Sequence, residues 1–254
     1  MATYVLSDIH GHYDYFKEIL SQIDFKDEDH LYIIGDAIDR GPSSIELLLE
    51  IKSMKNVTFI LGNHEEMMLQ AIKEKDEQMK TKWLRNGGAS TLKEFEELTP
   101  TIQKDLIAWL YTRPIAIPNI TINDKVYLLA HASHPLYKID KPLYYHEANM
   151  LDRHHILWSR DFKYVMPKEL AKRYSRLYQA YKGCILIFGH TPVYYTNYGR
   201  SNKIGLPRIS RTGKGHLINI DCGCASHFPL SCLRLDDLKE FYATLPPDLR
   251  VRKN

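Results

Sequence analysis

Long apolar runs are missing from this chain of 254 residues, and no stretch approaches the roughly 20 apolar residues that a membrane-spanning helix needs. The first residues enter a strand pattern with no charged-then-apolar leader, so neither a membrane nor a secretory route is expected and the reading is cytoplasmic. Cysteine is scarce. Cys184, Cys222, Cys224 and Cys232 are all there is, and no second Cys-x2-Cys-type pair completes a zinc site. Reduced, buried thiols are the expectation, with Cys222-x-Cys224 as a redox pair the lesser reading. Strong charge is also lacking: a net +3 and a pI near 8.5 are too mild to imply nucleic acid. No low-complexity tract or linker interrupts the chain. A hydrophobic content of 44% leaves room for one sizeable core, so a single domain over 1–254 is expected.

What the chain does have is one pattern written three times. Tyr4-Val5-Leu6 leads into Ser7-Asp8-Ile9-His10-Gly11. Leu31-Tyr32-Ile33-Ile34 leads into Gly35-Asp36-Ala37-Ile38-Asp39-Arg40-Gly41. Val57-Thr58-Phe59-Ile60-Leu61 leads into Gly62-Asn63-His64-Glu65. Each is a buried-looking strand that delivers oxygen or imidazole ligands into a glycine-containing turn, and a helical pattern follows. Phe16, Ile19, Leu20 and Ile23 mark the first helix, Ile45, Leu48 and Leu49 the second, and Met68, Leu69 and Ile72 the third. This β-α-β-α-β alternation predicts a parallel sheet with helical crossovers, in an α/β fold. Right-handed crossovers bring the carboxyl ends of such strands to one edge, where the ligands meet.

The rest is less regular. Gly87-Gly88 is expected to stop the helix that ends at Trp83. Residues 91–110 read as one or two helices with a break at Thr99-Pro100. Ile115-Ala116-Ile117 and Ile120-Thr121-Ile122 read as separate strands around Pro118-Asn119. Val126 to Ala130 is a strand ending on His131. Residues 136–165 are rich in Tyr, His and Pro without a clear period over most of their length, and read as an irregular loop or lid. Leu170 to Tyr181 reads as a helix, Ile185 to Phe188 as a strand ending in Gly189-His190, and Leu217 to Ile220 as a strand running into Asp221. Strands over 231–235 and 240–244 close the chain.

Five strands therefore end in a possible ligand: Asp8 with His10, Asp36, Asn63 with His64, His131, and His190. Any one of these is weak evidence, because a histidine at a strand end is more often a hydrogen-bonded structural residue. Loading strand after strand at the same end is another matter. Carboxylate, imidazole and amide donors suit Mn²⁺, Fe or Zn²⁺ and do not suit a soft thiolate site. Asp36, in the middle of the set, is the natural bridge between two cations, and such a pair binds phosphoryl oxygens for in-line attack.

These blocks resemble the signatures of the phosphoprotein phosphatase family of calcineurin-like metallophosphoesterases, with the bacterial and phage lambda-phosphatase type nearest and diadenosine tetraphosphatases as neighbours. Trp83 to Gly88, His131, Leu157-Trp158-Ser159-Arg160 and Gly189-His190-Thr191-Pro192 extend the likeness over roughly 8–225. The resemblance implies a four-layer α/β-β/α sandwich with a dinuclear centre at the strand ends. It implies that Asp8 and His10 hold one cation, that Asp36 bridges, and that Asn63, His131 and His190 hold the other, with Mn²⁺ the expected metal. His64 resembles the general acid, Asp39 its orienting carboxylate, and Arg40 and Arg160 the guanidinium pair on the phosphoryl oxygens. Hydrolysis by direct attack of a hydroxide bridging the metals is implied, with no phosphoenzyme. No cysteine has an arginine at the spacing of a Cys-x5-Arg nucleophile loop.

Three departures matter. Ser7 stands where many relatives have glycine. Ala132-Ser133-His134 follows His131 where glycine is commoner, so His134 is a rival ligand; His216 is another, though it precedes its strand. Asp221-Cys222-Gly223-Cys224 brings thiols near the site. The main expectation is a phosphatase acting on phosphoserine or phosphothreonine in proteins, and small phosphoesters. The alternative is a bis(5'-nucleosyl)-tetraphosphatase, which needs a nucleobase pocket; Tyr137, Tyr144, Tyr145, Trp158, Phe162 and Tyr164 are the aromatics to supply one.

Overall fold

Alternate residues of the first strand point into two different apolar clusters, and this sets the architecture. In β1 (Thr3–Leu6), Tyr4 and Leu6 pack on one side and Val5 on the other. In β2 (His30–Ile34), Leu31 and Ile33 join the first group and Ile34 the second. The same period of two divides Phe59 from Ile60 in β3 (Val57–Ile60). Such strands are buried on both faces and need cover on each. Residues 1–161, 183–212 and 215–244 are described by the computed structural model of the protein.

The helices α1 (Tyr13–Gln22), α2 (Ser44–Ser53) and α3 (Asn63–Ile72) alternate with these strands as the sequence predicts. β1, β2 and β3 are parallel and adjacent, with Leu6 opposite Ile33 and Ile34 opposite Ile60. Two late strands, β12 (Leu230–Arg234) and β13 (Glu240–Ala243), extend this sheet antiparallel beyond β1. The chain then runs through α4 (Glu77–Trp83), α5 (Ala89–Glu96) and α6 (Pro100–Tyr111), with the break at Thr99-Pro100 where it is expected.

The second sheet is mixed. Its strands are β4 (Pro114–Ile122), β5 (Lys125–Ala130), β6 (Leu143–Tyr144), β7 (Cys184–Phe188), β10 (Ser210–Thr212) and β11 (Leu217–Asn219). They lie in the order β10-β11-β7-β5-β4-β6, with β5, β7 and β11 parallel. A small ribbon of β8 (Arg200–Ser201) and β9 (Pro207–Arg208) stands apart. Val5, Ile34 and Ile60 of the first sheet share a fully buried cluster with Tyr127, Leu129, Ile187 and Ile218 of the second. Each such side chain contributes roughly 1.5–3 kcal/mol by leaving water. The two sheets thus pack face to face with helices outside, the α/β-β/α sandwich that was expected.

The helix that ends at Trp83 is stopped as expected: Leu84–Gly88 form one wide turn, broken where Gly87 takes φ +103°, and a new helix begins at Ala89. Two local expectations need correction. Residues 114–122 are one strand and not two. A shift of register between Ile117 and Ile120 absorbs Pro118, and β6 pairs only with the start of the strand, so the proline faces no missing partner. The stretch 136–165 contains α7 (Met150–Trp158), capped by Asn149, whose Oδ1 accepts the Asp152 N–H at 2.9 Å. Cys184, Cys222, Cys224 and Cys232 are free thiols and all but Cys184 are buried, as the main reading expects. The helix expected over Leu170–Tyr181, and the aromatics Phe162 and Tyr164, lie outside the described residues.

Candidate active site

Six strands end beside one another at the edge of the two sheets, and each is followed within three residues by a polar side chain. β1 leads to Asp8, β2 to Asp36, β3 to Asn63, β5 to His131, β7 to His190 and β11 to Asp221. All six are buried. Asp8, His10, Asp36, Asp39, Arg40 and His190 have φ between +51° and +73°, the left-handed region that few residues other than glycine enter. Such backbone is found where surrounding structure holds it, typically at functional sites. Two glycines make the crowding possible. A Cβ on Gly62 would fall 2.2 Å from Asp36 Oδ1, and one on Gly189 would fall 2.1 Å from Asp8 Oδ2.

Backbone carbonyls set the imidazoles. His10 Nδ1 lies 3.0 Å from the Ile38 carbonyl oxygen, and His131 Nδ1 lies 2.9 Å from that of Ile34. A carbonyl only accepts, so each Nδ1 donates, and each Nε2 is turned toward Asp36 Oδ2, at 3.7 Å and 3.4 Å. His131 Nε2 is also 3.0 Å from Asn63 Oδ1. Asp36 is common to two groups whose donor atoms lie within 4.8 Å of one another: His10, Asp36 and His64, and Asp36, His131 and His190. Asp8 stands beside them, accepting from Ser7 Oγ and from the His190 N–H.

Burial and like charge make this a site short of positive charge. Burial, with the neighbouring Asp36 charge, pushes the Asp8 carboxyl up to about 6. Burial and Asp8 push Asp221 well above the usual carboxylate range. Burial would also raise Asp36, but the imidazoles of His131, His64 and His10 hold it well below. His131 goes the other way: burial would lower it, yet Asp36 and Asp8 push it up to about 10. Burial and a neighbouring imidazole hold His10 and His190 well down. His190 Nε2 is buried and has no hydrogen-bond partner among the described residues, a costly state for an imidazole nitrogen. Clustered carboxyls and an unpartnered imidazole nitrogen are the donor set that a divalent cation satisfies, so the residues fit the metals that the sequence implies.

A second network surrounds His64. Its Nδ1 lies 2.5 Å from Asp39 Oδ2. Asp39, fully buried, also accepts from Thr91 Oγ1 at 2.7 Å and from Trp83 Nε1 at 2.8 Å. Arg40 donates to His64 Nε2 at 2.9 Å and to His10 Nε2 at 3.0 Å. The kink at Gly87 serves this contact: the Gly87 carbonyl accepts the Arg40 N–H at 3.1 Å, and a Cβ on Gly87 would fall 2.7 Å from Arg40 Cγ. Arg160, just past α7, donates to Thr191 Oγ1 at 3.2 Å. Both arginines line the same pocket of about 290 Å³ as Asp8, His10, Asp36, Asn63, His64 and His190.

All ten residues singled out in the sequence therefore meet in one place. His131 and Asp39 meet the others through their hydrogen bonds and are not part of the pocket wall. The rival ligands do not. His134 turns its Nδ1 to the Pro135 carbonyl oxygen at 2.8 Å, and His216 faces the Cys184 carbonyl oxygen at 3.3 Å. Two further buried carboxylates, Asp221 and Glu65, stand at the site. Asp221 follows its strand as Asp36 follows β2, so the strand-end rule would have found it. Glu65 accepts the N–H groups of Asp36 at 3.0 Å and of Ala37 and Gly62 at 2.8 Å, a link between motifs that only the fold reveals. The pocket wall also holds Trp158, Tyr194 and Tyr195.

A two-sheet sandwich with buried carboxylates and imidazoles at its strand ends, flanked by arginines, is the arrangement of the metallophosphoesterase fold. The chain belongs to the calcineurin-like phosphoesterase family, which its residues 1–194 match. Symmetrical bis(5'-nucleosyl)-tetraphosphatases of Salmonella paratyphi C (strain RKS4594) and Salmonella typhimurium (strain LT2) are 33% identical to it over 138 residues. That match covers 52% of this chain and 43% of each relative, so it spans less than half of those proteins. Among solved structures, a putative diadenosine tetraphosphatase superposes with a TM-score of 0.62 at 17% identity, covering 94% of this chain and 91% of that one. A serine/threonine phosphatase from Saccharomyces cerevisiae superposes with a TM-score of 0.59 at 17% identity, covering 98% and 82%. At such identities these structures speak for the fold. Among the described residues, no helix is long and apolar enough to cross a membrane.

Proposed function

We propose that this protein hydrolyses dinucleoside polyphosphates, cutting a symmetrical tetraphosphate into two nucleoside diphosphates. The observation that carries this reading over a phosphoprotein phosphatase is the aromatic wall beside the ligand cluster. Trp158, Tyr194 and Tyr195 line the pocket, and Tyr195 is 59% exposed, which suits stacking with a base. The similarity to symmetrical tetraphosphatases favours the same choice.

Asp8 and His10 would hold one divalent cation, and Asn63, His131 and His190 the other, with Asp36 shared; His64 is the residue within reach of the first group that we assign to proton transfer instead. Such cations, Mn²⁺ by preference, supply Lewis acidity toward a phosphoryl oxygen and toward water. Arg40 and Arg160 bind the non-bridging oxygens and stabilise the charge that grows there. As the water oxygen bonds to phosphorus and gives up its proton to solvent, the bridging P–O bond breaks and the departing phosphate takes a proton from His64 Nε2, which solvent then replaces. Asp39, hydrogen-bonded to His64 Nδ1, orients the ring. A terminal phosphate, with a second pKa of about 6, leaves far more easily than a serine alkoxide, so this substrate leans less on His64 than a phosphoserine peptide would.

Metal-stripped protein is expected to be inactive on every substrate and to recover with Mn²⁺. The restored enzyme is then assayed with diadenosine tetraphosphate and with a panel of phosphoserine and phosphothreonine peptides. The expected result is a kcat/KM at least about tenfold higher for the dinucleotide, with ADP as the sole product. Faster turnover of the peptides would overturn the reading.

A further inference from the structure

A second cavity, of about 300 Å³, lies next to the active site. His12, Asp14, Tyr15, Ser43 and His227 are among the residues that line it. Two stretches of chain are shared between the cavities. His10 lines the active site and His12 the second cavity, while Ser226 lines the first and His227 the second. Two residues of chain span no more than about 7 Å. Glycines keep this wall thin: a Cβ at Gly41 would fall 2.1 Å from the His10 carbonyl oxygen. The short turn Cys224–Ser226 is held on the active-site side, where Tyr194 and Ser226 join their hydroxyls at 3.0 Å and the Tyr194 ring lies 4.8 Å from Phe228.

Among the described residues, the lining of the second cavity is aromatic and carries no lysine or arginine. His12 stacks on Tyr15 with centroids 5.4 Å apart and planes at 22°. His227 stands 6.1 Å from His12, turned by 75°. A phosphate finds no cation among these residues. A planar base finds a stacked pair to lie against and an edge to close on it, with the Ser43 hydroxyl and the Asp14 carboxylate in reach of ring nitrogens and an exocyclic amine.

We propose that this cavity receives one purine base of a dinucleoside polyphosphate, while the other base lies on Tyr194 and Tyr195 and the phosphate chain crosses the ligand cluster between them. This rests on the dinucleoside reading of the active site. It explains how one enzyme would recognise both ends of a symmetrical substrate whose scissile bond lies in the middle.

The test follows the imidazole resonances of His12 and His227 by NMR while ADP, and separately inorganic pyrophosphate, is added to the metal-loaded protein. ADP is expected to shift both and pyrophosphate neither. In parallel, His227→Ala is expected to raise KM for diadenosine tetraphosphate about tenfold with little change in kcat, the scale of one lost stacking partner. Equal shifts with pyrophosphate, or an unchanged KM in His227→Ala, would overturn the base site. Wild-type protein that turns over the dinucleotide without ADP-specific shifts would overturn the base site and keep the dinucleoside reading. ADP-specific shifts in an enzyme inert toward the dinucleotide would keep the base site and overturn that reading.

Discussion

The first sheet delivers its polar side chains to the pocket in runs, whereas the second delivers them one at a time. Asp8 with His10, Asp36 with Asp39 and Arg40, and Asn63 with His64 and Glu65 sit in three neighbouring turns that hydrogen-bond one another. The His10 N–H donates to the Asp36 carbonyl at 2.9 Å, the His64 N–H to Asp36 Oδ1 at 3.0 Å, and the Asp36 N–H to Glu65 at 3.0 Å. His131, His190 and Asp221 each come alone from a strand of the second sheet, and the loops around them supply Arg160, Tyr194 and Tyr195. The difference teaches a division of labour. Proton transfer and charge sharing need groups fixed within a few tenths of an ångström, and adjacent turns braced by buried hydrogen bonds supply that. Fitting a substrate needs surface shape, and longer loops on a shared scaffold supply that.

Arg40→Ala should break the chemical half hardest. Arg40 touches both His10 and His64, and the loss of a charge-assisted grip on the phosphoryl group costs about 2–4 kcal/mol in the transition state. Steady-state kinetics should show kcat/KM falling about 10²-fold with metal content retained; a fall under about threefold would take Arg40 off the phosphate. Glu65→Gln probes the bracing. Removing the charged acceptor from the N–H groups of Asp36, Ala37 and Gly62 should lower stability by about 1–3 kcal/mol, read as a lower urea midpoint. An unchanged midpoint would mean that the turns hold themselves. The smallest effect belongs to the second sheet. Tyr195→Ala should raise KM for diadenosine tetraphosphate about tenfold and disturb p-nitrophenyl phosphate several times less. Equal losses on both substrates would place Tyr195 in the chemistry.

The same division explains how much could be read before folding. The ligand-bearing turns are local, so Asp8, Asp36 and Asn63 announce themselves by following apolar strands. The break at Gly87-Gly88 was legible, but its cause, the approach of Arg40 from a distant turn, was not. Nor was α7, where Met150 and Leu151 face solvent at 78% and 67% while Asp152 is buried, reversing the expected apolar face. The aromatic wall was read only in part. Trp158 was among the candidates, whereas Tyr194 and Tyr195 reach the pocket through contacts between loops far apart in sequence.

The central claim is that Asp36 is shared by two cation sites at the meeting point of both sheets. Metal content per chain, measured after equilibration with Mn²⁺ and removal of free ion, tests it most directly. Wild-type protein should retain two cations, one at Asp8 and His10 and one at Asn63, His131 and His190, with Asp36 shared. Asp8→Asn should weaken mainly one of them, and Asp36→Asn should lose both while staying folded. Equal stoichiometry in Asp36→Asn and wild type would contradict the claim.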